Sequence, residues 1–377
     1  MGTNAHGGIG ASNPTVIRIC AANPRPWLAR YRGQKPVFVC IVSFTETGLI
    51  PQISAAGDTP QARRHTALAD CEFLYTGAIL PRLAAGISPA VITRAVLTEQ
   101  TIPMHLLSTG LPAPLTVPHI ALPQAIAKPV HTGQAMTLSQ AAMLLESGLH
   151  WGQQLAQQCL NSYLIVSECV VGGTTTAQAV LTALGYEVAG LMSSSHLAGN
   201  HRQKQHLIEQ GLSVWRQRGD FSPLAAVAAV GDPMQAVAAG MVLSASQYCG
   251  VLLAGGSQML AVYALAKAIA QARSQPKMRR SLFWNPEQVV VGTTRWVIED
   301  ASADTTAIAR SVGAPYLASQ INFSQSPYLQ LRAYERGFVK EGIGAGGCAI
   351  AAHLHQNWTA TQLRHAVEAQ LRQAIWQ

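Results

Sequence analysis

The chain has 377 residues, of which 49% are hydrophobic and 12% charged, and its formal net charge is +8. So low a content of charged residues argues against disorder and for a large buried core. The basic residues form no long run and are not interleaved with aromatic residues, which argues against nucleic-acid binding, and no uninterrupted apolar stretch reaches the roughly 20 residues of a membrane-spanning helix.

The N-terminal segment, residues 1–36, is predicted to be irregular because it contains four prolines. It lacks the charged start and apolar stretch of a signal peptide, so we expect a cytoplasmic protein. The seven cysteines of the chain are scattered without a CxxC pair, which indicates reduced core thiols. No cluster of Cys and His has the spacing of metal ligands, and we expect neither a metal nor another cofactor.

The first half of the chain predicts one clear buried strand. Residues 37–43 are a continuous apolar and β-branched run, and a loop rich in Gly, Ser, Asp and Pro follows it at 53–60. The other elements predicted here are helices at 67–75, at 90–99 with Ser88 as N-cap and at 138–158, a short strand at 104–107, and an extended, proline-rich loop at 111–130.

The second half of the chain alternates strands and helices. Strands or strand-like segments are predicted at 163–167, 188–192, 250–254, 288–291, 295–298 and 315–323. Helices are predicted at 174–184, 204–218, 234–246, 259–273 and 361–375, and a glycine-rich turn at 342–347 leads into a further helix.

This alternation predicts an α/β fold, a three-layer, Rossmann-like parallel sheet with helices on both faces. We expect the irregular segment 1–36, a single domain at 37–355 and a C-terminal helix within 356–377. Ligands of such sheets bind outside the carboxyl ends of the strands, so the turns that follow strands are candidate binding sites.

The turn after strand 163–167 predicts an anion-binding site. Gly172 and Gly173 allow a tight turn and a close backbone approach, and the helix that follows offers free N–H groups and the positive end of its dipole. Thr174 and Thr175 add hydroxyl donors, and Glu168 stands at the strand end. The sequence is neither a Walker A motif nor a dinucleotide fingerprint, and the structural alternative is a turn with a threonine cap.

A second acid precedes a second glycine-rich turn. Glu341 stands directly before Gly342 and Gly344, and an apolar helix follows. Burial in an apolar cleft would raise the pKa of such a glutamate and suit it to general-base catalysis. The alternative is a solvent-exposed glutamate before a loop.

Two further turns and one lysine complete the candidates for ligand binding. They are the glycine pair Gly255 and Gly256, the turn at Ser193 and Ser194, and Lys204, which would neutralise a phosphate or else lie on a helix surface. Two glutamates, several anion-binding turns and no metal cluster suggest transfer between a phosphorylated sugar and a base, because carboxylates stabilise the positive charge that develops on the sugar.

These residues resemble one family. Residues 168–175 resemble the Glu-Met-Gly-Ile-Gly-Asn-Thr-Thr signature of nicotinate-nucleotide:dimethylbenzimidazole phosphoribosyltransferases, and 340–345 resemble that family's Gly-Glu-Gly-Thr-Gly-Ala. Residues 230–245 and the surroundings of Lys204 resemble two more of its segments, in the same order over 140–352. The features at 45–47, 53–57, 90–94 and 172–176 resemble a divergent archaeal and cyanobacterial branch.

The resemblance implies an activity. Nicotinate mononucleotide would give its ribose 5-phosphate to an imidazole nitrogen of a base, and the α-riboside phosphate would become the lower ligand of a cobamide (vitamin B12). It also implies that Glu341 is the general base, that Glu168 faces the ribose or the developing cation, and that the protein is a homodimer. Phosphate binding would fall to Gly172, Gly173, Thr174 and Lys204.

The sequence departs from the better-known branch at two places. Ser193 and Ser194 stand where that branch has a Gly-Arg-Gly-Thr-Gly loop, and the N-terminal Lys-Pro-x-Gly-Ser-Leu-Gly motif is missing. Either a benzimidazole or a purine such as adenine is therefore open as the base. The alternatives are an enzyme of the same class that acts on another base, and a non-catalytic nucleotide-binding protein.

Overall fold

The computed structural model describes residues 16–57, 59–80, 83, 86–193, 200–273 and 284–375. Within them eight strands form a single sheet. The strands are β1 (Ile17–Ala21), β2 (Val37–Phe44), β3 (Met104–Ser108), β4 (Ile120–Ala121), β5 (Tyr163–Val171), β6 (Gly250–Ala254), β7 (Val289–Thr294) and β8 (Tyr316–Ser319).

Helices occupy most of the rest of the described chain. They are α1 (Arg25–Tyr31), α2 (Pro60–Thr76), α3 (Ala90–Glu99), α4 (Leu138–Ala156), α5 (Gly173–Ala183), α6 (His201–Arg216), α7 (Pro223–Val230), α8 (Pro233–Ala245), α9 (Ser257–Arg273), α10 (Arg295–Ile298), α11 (Thr305–Val312), α12 (Leu329–Arg332), α13 (Ala345–Gln356) and α14 (Ala360–Ile375). No helix of the described residues is long and apolar enough to cross a membrane.

The strand order is β1-β8-β7-β6-β5-β2-β3-β4, and every neighbouring pair is parallel except β1 with β8. From β5 the chain builds outward through β6, β7 and β8, whereas β2 builds outward the other way through β3 and β4. The order therefore reverses between β2 and β5. In open parallel sheets such a reversal leaves a crevice at the carboxyl ends of the two strands, and ligands bind there.

The two faces of the sheet are covered by separate apolar cores. All eight residues of β2 are buried, and alternate residues enter different cores: Val39 and Ile41 on one face, Phe38 and Cys40 on the other. Helices α4, α5, α7, α8 and α9 supply the first core, and α2, α3, α13 and α14 supply the second. The predicted α/β fold with helices on both faces of a parallel sheet is thus confirmed, with one antiparallel strand at its edge.

Helices α4 and α8 approach each other unusually closely along glycines. A Cβ atom added at Gly148 would lie 2.1 Å from the Val237 carbonyl oxygen, and one added at Gly240 would lie 2.3 Å from the Leu145 carbonyl oxygen. The backbones therefore touch where side chains would otherwise separate them.

The N-terminal segment differs from its prediction. Residues 17–31, expected to be irregular, form β1 and α1. The strand pairs with β8 at the sheet edge, and the Trp27 indole of α1 donates a hydrogen bond of 2.9 Å to the Gln288 carbonyl oxygen. Pro24 and Pro26 lie at the first turn of α1, where a missing N–H leaves no intrahelical bond unmade. The predicted division into domains remains a prediction.

Two predicted strands are wrong. Residues 188–192 form no strand, because Gly190 turns the chain with φ of 78° and no neighbouring strand pairs with it. Residues 295–298 form the helical turn α10. Both are short apolar runs, which periodicity alone does not assign to strand or helix. Helices α7 and α11 were not predicted, and α2 begins at Pro60 instead of residue 67.

Candidate active site

A cavity of about 540 Å³ opens at the carboxyl ends of β5 and β6. Its wall is made by the turns after β5 and β6, the start of α3, and the loop before α13. Eight predicted site residues line it: Glu168, Gly172, Thr174, Thr175, Ser193, Gly256, Glu341 and Gly342. The fold thus brings together two glutamates that are 173 positions apart in the sequence.

Glu168 lies inside β5, since the strand continues to Val171. Only 6% of the residue is exposed, and its Oε2 accepts a hydrogen bond of 2.9 Å from the Val170 N–H. Burial raises the pKa of this carboxyl to about 8; the negative charges of Asp232 and Glu341 act in the same direction, and the Val170 and Gln258 hydrogen bonds oppose them. Glu168 is therefore mostly protonated at neutral pH and can donate a hydrogen bond into the cavity.

Glu341 is held by four hydrogen-bond donors. Its Oε2 accepts from the Thr293 hydroxyl and the Thr294 N–H, each at 2.9 Å, and its Oε1 accepts from the Gly342 and Gly346 N–H groups, each at 3.1 Å. Burial raises the pKa of Glu341, and the four donors act against that rise. A carboxylate offers about four lone-pair positions, so an incoming proton must displace a donor. The Thr293 hydroxyl is the one donor of the four that can rotate away.

The loop that carries Glu341 adopts an uncommon backbone conformation. Ile343 and Gly344 both have positive φ, 52° and 72°, and the Ile343 carbonyl oxygen accepts a hydrogen bond of 2.8 Å from the Thr93 hydroxyl. A β-branched residue rarely adopts this conformation, and such strain concentrates at functional loops. Gly344 does not line the cavity. A Cβ atom there would lie 2.7 Å from Ser167 Cβ, so this glycine packs the loop onto β5.

The turn after β5 presents the start of α5 to the cavity. Gly172 has φ of 89°, and a Cβ atom on it would lie 2.6 Å from the Gly48 backbone. Gly173 does not line the cavity, but a Cβ atom there would lie 1.8 Å from Gln258 Oε1. The buried Thr175 hydroxyl has no hydrogen-bond partner among the described residues. The turn therefore offers the cavity a free donor and the positive end of a helix.

Two lysines, Lys204 and Lys340, lie close enough together for their charges to interact. Lys340 Nζ donates to Asp300 Oδ2 at 2.6 Å, and the Ser193 hydroxyl donates to the same oxygen at 2.7 Å. Lys204 is fully buried, and its Nζ has no hydrogen-bond partner among the described residues. Burial lowers the pKa of Lys204 to about 8, and the positive charge of Lys340 acts in the same direction.

The remaining predicted residues do not lie on the cavity wall. Lys204 and Gly255 are absent from it, and the Gly255 N–H instead donates a hydrogen bond of 2.9 Å to the Gly292 carbonyl oxygen. Ser194 lies outside the described residues.

Several polar residues of the site were not predicted from the sequence. Gln258 lines the cavity next to Glu168, and its place two residues after Gly256 was a usable signal. Asp232 caps α8 and accepts a hydrogen bond of 2.5 Å from the Thr176 hydroxyl. Asp70 and Ser88 line the cavity from α2 and from just before α3. Nothing in the local sequence marks Asp70, and Ser88 was predicted only as the N-cap of α3, a position that Pro89 occupies instead.

The chain is similar to several known proteins. A family model described as DBI_PRT, phosphoribosyltransferase, matches residues 84–278. A UPF0284 protein of Acaryochloris marina is 51% identical over 353 residues, covering 92% of this chain and 94% of the relative. A UPF0284 protein of Trichodesmium erythraeum is 52% identical over 355 residues, covering 91% and 94%.

Solved structures share the fold. A nicotinate-nucleotide-dimethylbenzimidazole phosphoribosyltransferase from Thermus thermophilus superimposes with a TM-score of 0.57 at 16% identity, covering 91% of this chain and 84% of that one. A structure of CobT from the same organism gives a TM-score of 0.58 at 17% identity, covering 88% and 84%. At these identities the likeness concerns the fold alone.

Proposed function

Because the chain belongs to the nicotinate-nucleotide:dimethylbenzimidazole phosphoribosyltransferase family, we propose that it transfers the ribose 5-phosphate of nicotinate mononucleotide to a lower-ligand base. The product would be an α-riboside phosphate for cobamide synthesis. The observation that carries the proposal is the convergence of Glu168, Glu341 and the start of α5 on one cavity. By family analogy the enzyme works as a homodimer.

The phosphate of the nucleotide would bind at the start of α5. The N–H groups of that helix and the free Thr175 hydroxyl are suited to a phosphate, and Lys204 and Lys340 add positive charge nearby. Lys204 is buried without a hydrogen-bond partner among the described residues, an arrangement that an anion would stabilise.

The ribose would lie between the two glutamates. As the bond from its C1 atom to the nicotinate nitrogen breaks, the bonding electrons leave with nicotinate and positive charge develops on the sugar. The protonated Glu168 would donate a hydrogen bond to a ribose hydroxyl and hold the ring in place. The negative charge of Glu341 would stabilise the developing cation.

The base would attack from the opposite side. An imidazole nitrogen lone pair forms the new bond to C1 with inversion, which yields the α-linkage, and the proton of the other ring nitrogen passes to Glu341 and then to solvent. Glu341 can accept it once the Thr293 hydroxyl rotates away, since that bond occupies one of its lone-pair positions.

The proposal is tested by incubating the protein with nicotinate mononucleotide and a panel of bases, including dimethylbenzimidazole and adenine. We expect release of nicotinate together with a riboside phosphate, identified by mass. Thermal stabilisation by the nucleotide with no nicotinate release from any base would instead indicate a non-catalytic nucleotide-binding protein.

A further inference from the structure

A carboxyl group with an oxygen that no protein donor within the described residues occupies lies on the cavity wall. Asp70 of α2 is 7% exposed, and its Oδ1 accepts a hydrogen bond of 2.5 Å from the Ser88 hydroxyl. Its Oδ2 has no hydrogen-bond partner among the described residues. The same cavity is lined by apolar residues that include Ile53, Ala55, Ala56, Pro89, Val171 and Phe338, and by the hydroxyl residues Ser54 and Thr66.

We call the part of the cavity beside Asp70 the Asp70 recess. Within the described part of the chain, it provides no charge that compensates the charge of this acid. None of the ion pairs among the described residues involves Asp70, and burial raises its pKa to about 7. The Oδ2 atom of Asp70 is open to the cavity, where a ligand can reach it. A ligand that brings an N–H or O–H group to this oxygen would form a hydrogen bond, whereas an apolar group placed there would leave the oxygen unpaired.

The recess adjoins the reacting groups. Ser88 and Pro89 lead into α3, and a Cβ atom on Gly342 would lie 3.4 Å from Pro89 Cγ, so the Asp70 recess and the Glu341 loop share one wall. On the other side the charge of Asp70 acts on the Cys169 thiol, the neighbour of Glu168. A flat fused-ring base that gives its imidazole proton to Glu341 would extend its second ring toward Asp70.

We propose that Asp70 selects the base: the acceptor is a fused imidazole that carries a hydrogen-bond donor, such as an amino group, on its second ring. This inference rests on the proposed function and narrows its substrate class. A base with only methyl groups there would leave the Asp70 Oδ2 atom unpaired. An aminopurine or an amino-substituted benzimidazole would satisfy it.

Asp70 also has a structural contact that the test must separate. The Ser88 hydroxyl accepts a hydrogen bond of 3.2 Å from the Ala90 N–H, so Asp70 and Ser88 together secure the start of α3. Ser88→Ala removes this link and leaves the Asp70 carboxyl in place. Asp70→Asn keeps an acceptor for Ser88 and presents an NH2 donor where the second oxygen was.

The experiment compares 5-aminobenzimidazole with 5-methylbenzimidazole, which differ only by an amino or a methyl group of similar size. With nicotinate mononucleotide we expect wild-type kcat/KM to favour the amino base by about 10-fold or more, as one hydrogen bond to a charged group provides. Asp70→Asn should remove the preference, and Ser88→Ala should keep it within about 3-fold while lowering thermal stability.

Three results would overturn the inference: a wild-type ratio near one, an unchanged ratio in Asp70→Asn, or an equal loss in Ser88→Ala. The wild-type ratio needs no variant and so decides even if Asp70→Asn does not fold. Calorimetric binding of the two bases gives the same ratio without turnover. If no base releases nicotinate, the proposed function fails, and the binding ratio still tests Asp70.

Discussion

Two glutamates on one cavity wall have different hydrogen-bond environments. Glu341 accepts four hydrogen bonds, which favour its charged form, whereas Glu168 accepts one from the backbone and one from Gln258. Burial raises the pKa of both carboxyls, and because like charges repel, we expect the group with fewer donors to hold its proton more tightly. Identical side chains can thereby serve as base and as hydrogen-bond donor.

Glu341→Ala is expected to lower kcat by about 10²- to 10⁴-fold, the usual loss for a general base. Steady-state nicotinate release measures it, with Glu209→Ala as control because that glutamate is exposed on α6 and does not line the cavity. Turnover of Glu341→Ala close to that of the control would remove Glu341 from the mechanism.

Thr293→Val removes one hydrogen-bond donor from Glu341, so the pKa of Glu341 should rise and the acid limb of kcat/KM should move to higher pH.

Glu168→Gln mimics the protonated form, so at pH 7 its kcat/KM should stay within about 10-fold of wild type. Glu168 and Lys204 both have a pKa of about 8, and each should lose a proton as the pH rises. The logarithm of wild-type kcat/KM should therefore fall with a slope approaching about −2 above this pH, and that of Glu168→Gln with a slope of about −1. A Gln variant as inactive as Glu168→Ala would show that the carboxylate is required.

At the scale of elements, β2, β3 and β6 were predictable because buried parallel strands are short apolar runs between turn residues. The end of β5 was not predictable. A glutamate after an apolar run indicates the end of a strand, but β5 continues to Val171 and Glu168 is buried within it. The predicted α2 began too late, at residue 67, because the first turns of this helix are polar.

The candidate site was predictable only where its signal is local. Glu168 and Glu341 stand next to glycine-rich turns, so chain order alone pointed to them. Asp70 and Gln258 lie within or at the start of helices, and their position at the cavity depends on how those helices pack against the sheet. The spacing of residues along the sequence does not indicate how these helices pack against the sheet.

The close α4–α8 contact makes a prediction about stability. Gly→Ala usually stabilises a helix, by about 1 kcal/mol. At Gly148 the added methyl group would meet the Val237 carbonyl oxygen, so Gly148→Ala should instead lower the free energy of unfolding by about 1–3 kcal/mol. Urea denaturation measures it, with Glu146→Ala as control because Glu146 is exposed on the same helix. A stabilised Gly148→Ala would mean that the helices separate easily.

At the scale of the whole molecule, the cavity opens at the carboxyl ends of β5 and β6, and β5 is also the strand at which the strand order reverses. The turn after β5, the start of α3 and the Glu341 loop all converge there. The buried acids collect at the same edge, so the stability of the binding crevice depends on their protonation.

These acids predict a pH dependence of folding. Burial raises the pKa of Glu168 to about 8, of Asp70 to about 7 and of Asp232 to about 6. An acid whose pKa is raised by folding stabilises the protein fully below its unfolded value, about 4, and loses that contribution as the pH rises through the folded value.

The free energy of unfolding should therefore fall between about pH 5 and pH 8. Denaturation in urea at several pH values measures it, and Glu168→Gln should flatten the upper part of the curve, because its amide does not titrate. Glu146→Gln, at an exposed position, should leave the curve unchanged. A curve for Glu168→Gln that matches wild type would show that this group titrates normally in the folded protein.

The pairing of β1 with β8 has a consequence for how the protein is made. Ile17 lies opposite Ser319, and Trp27 and Tyr31 both bond to Gln288, so the N-terminal elements find their partners about 260 to 300 residues later in the chain. During synthesis these first elements leave the ribosome long before their binding surface exists. Until nearly all of the enzyme has been translated, they remain an unpaired strand and a short helix whose Trp27 and Tyr31 side chains are uncovered, the kind of segment that chaperones bind.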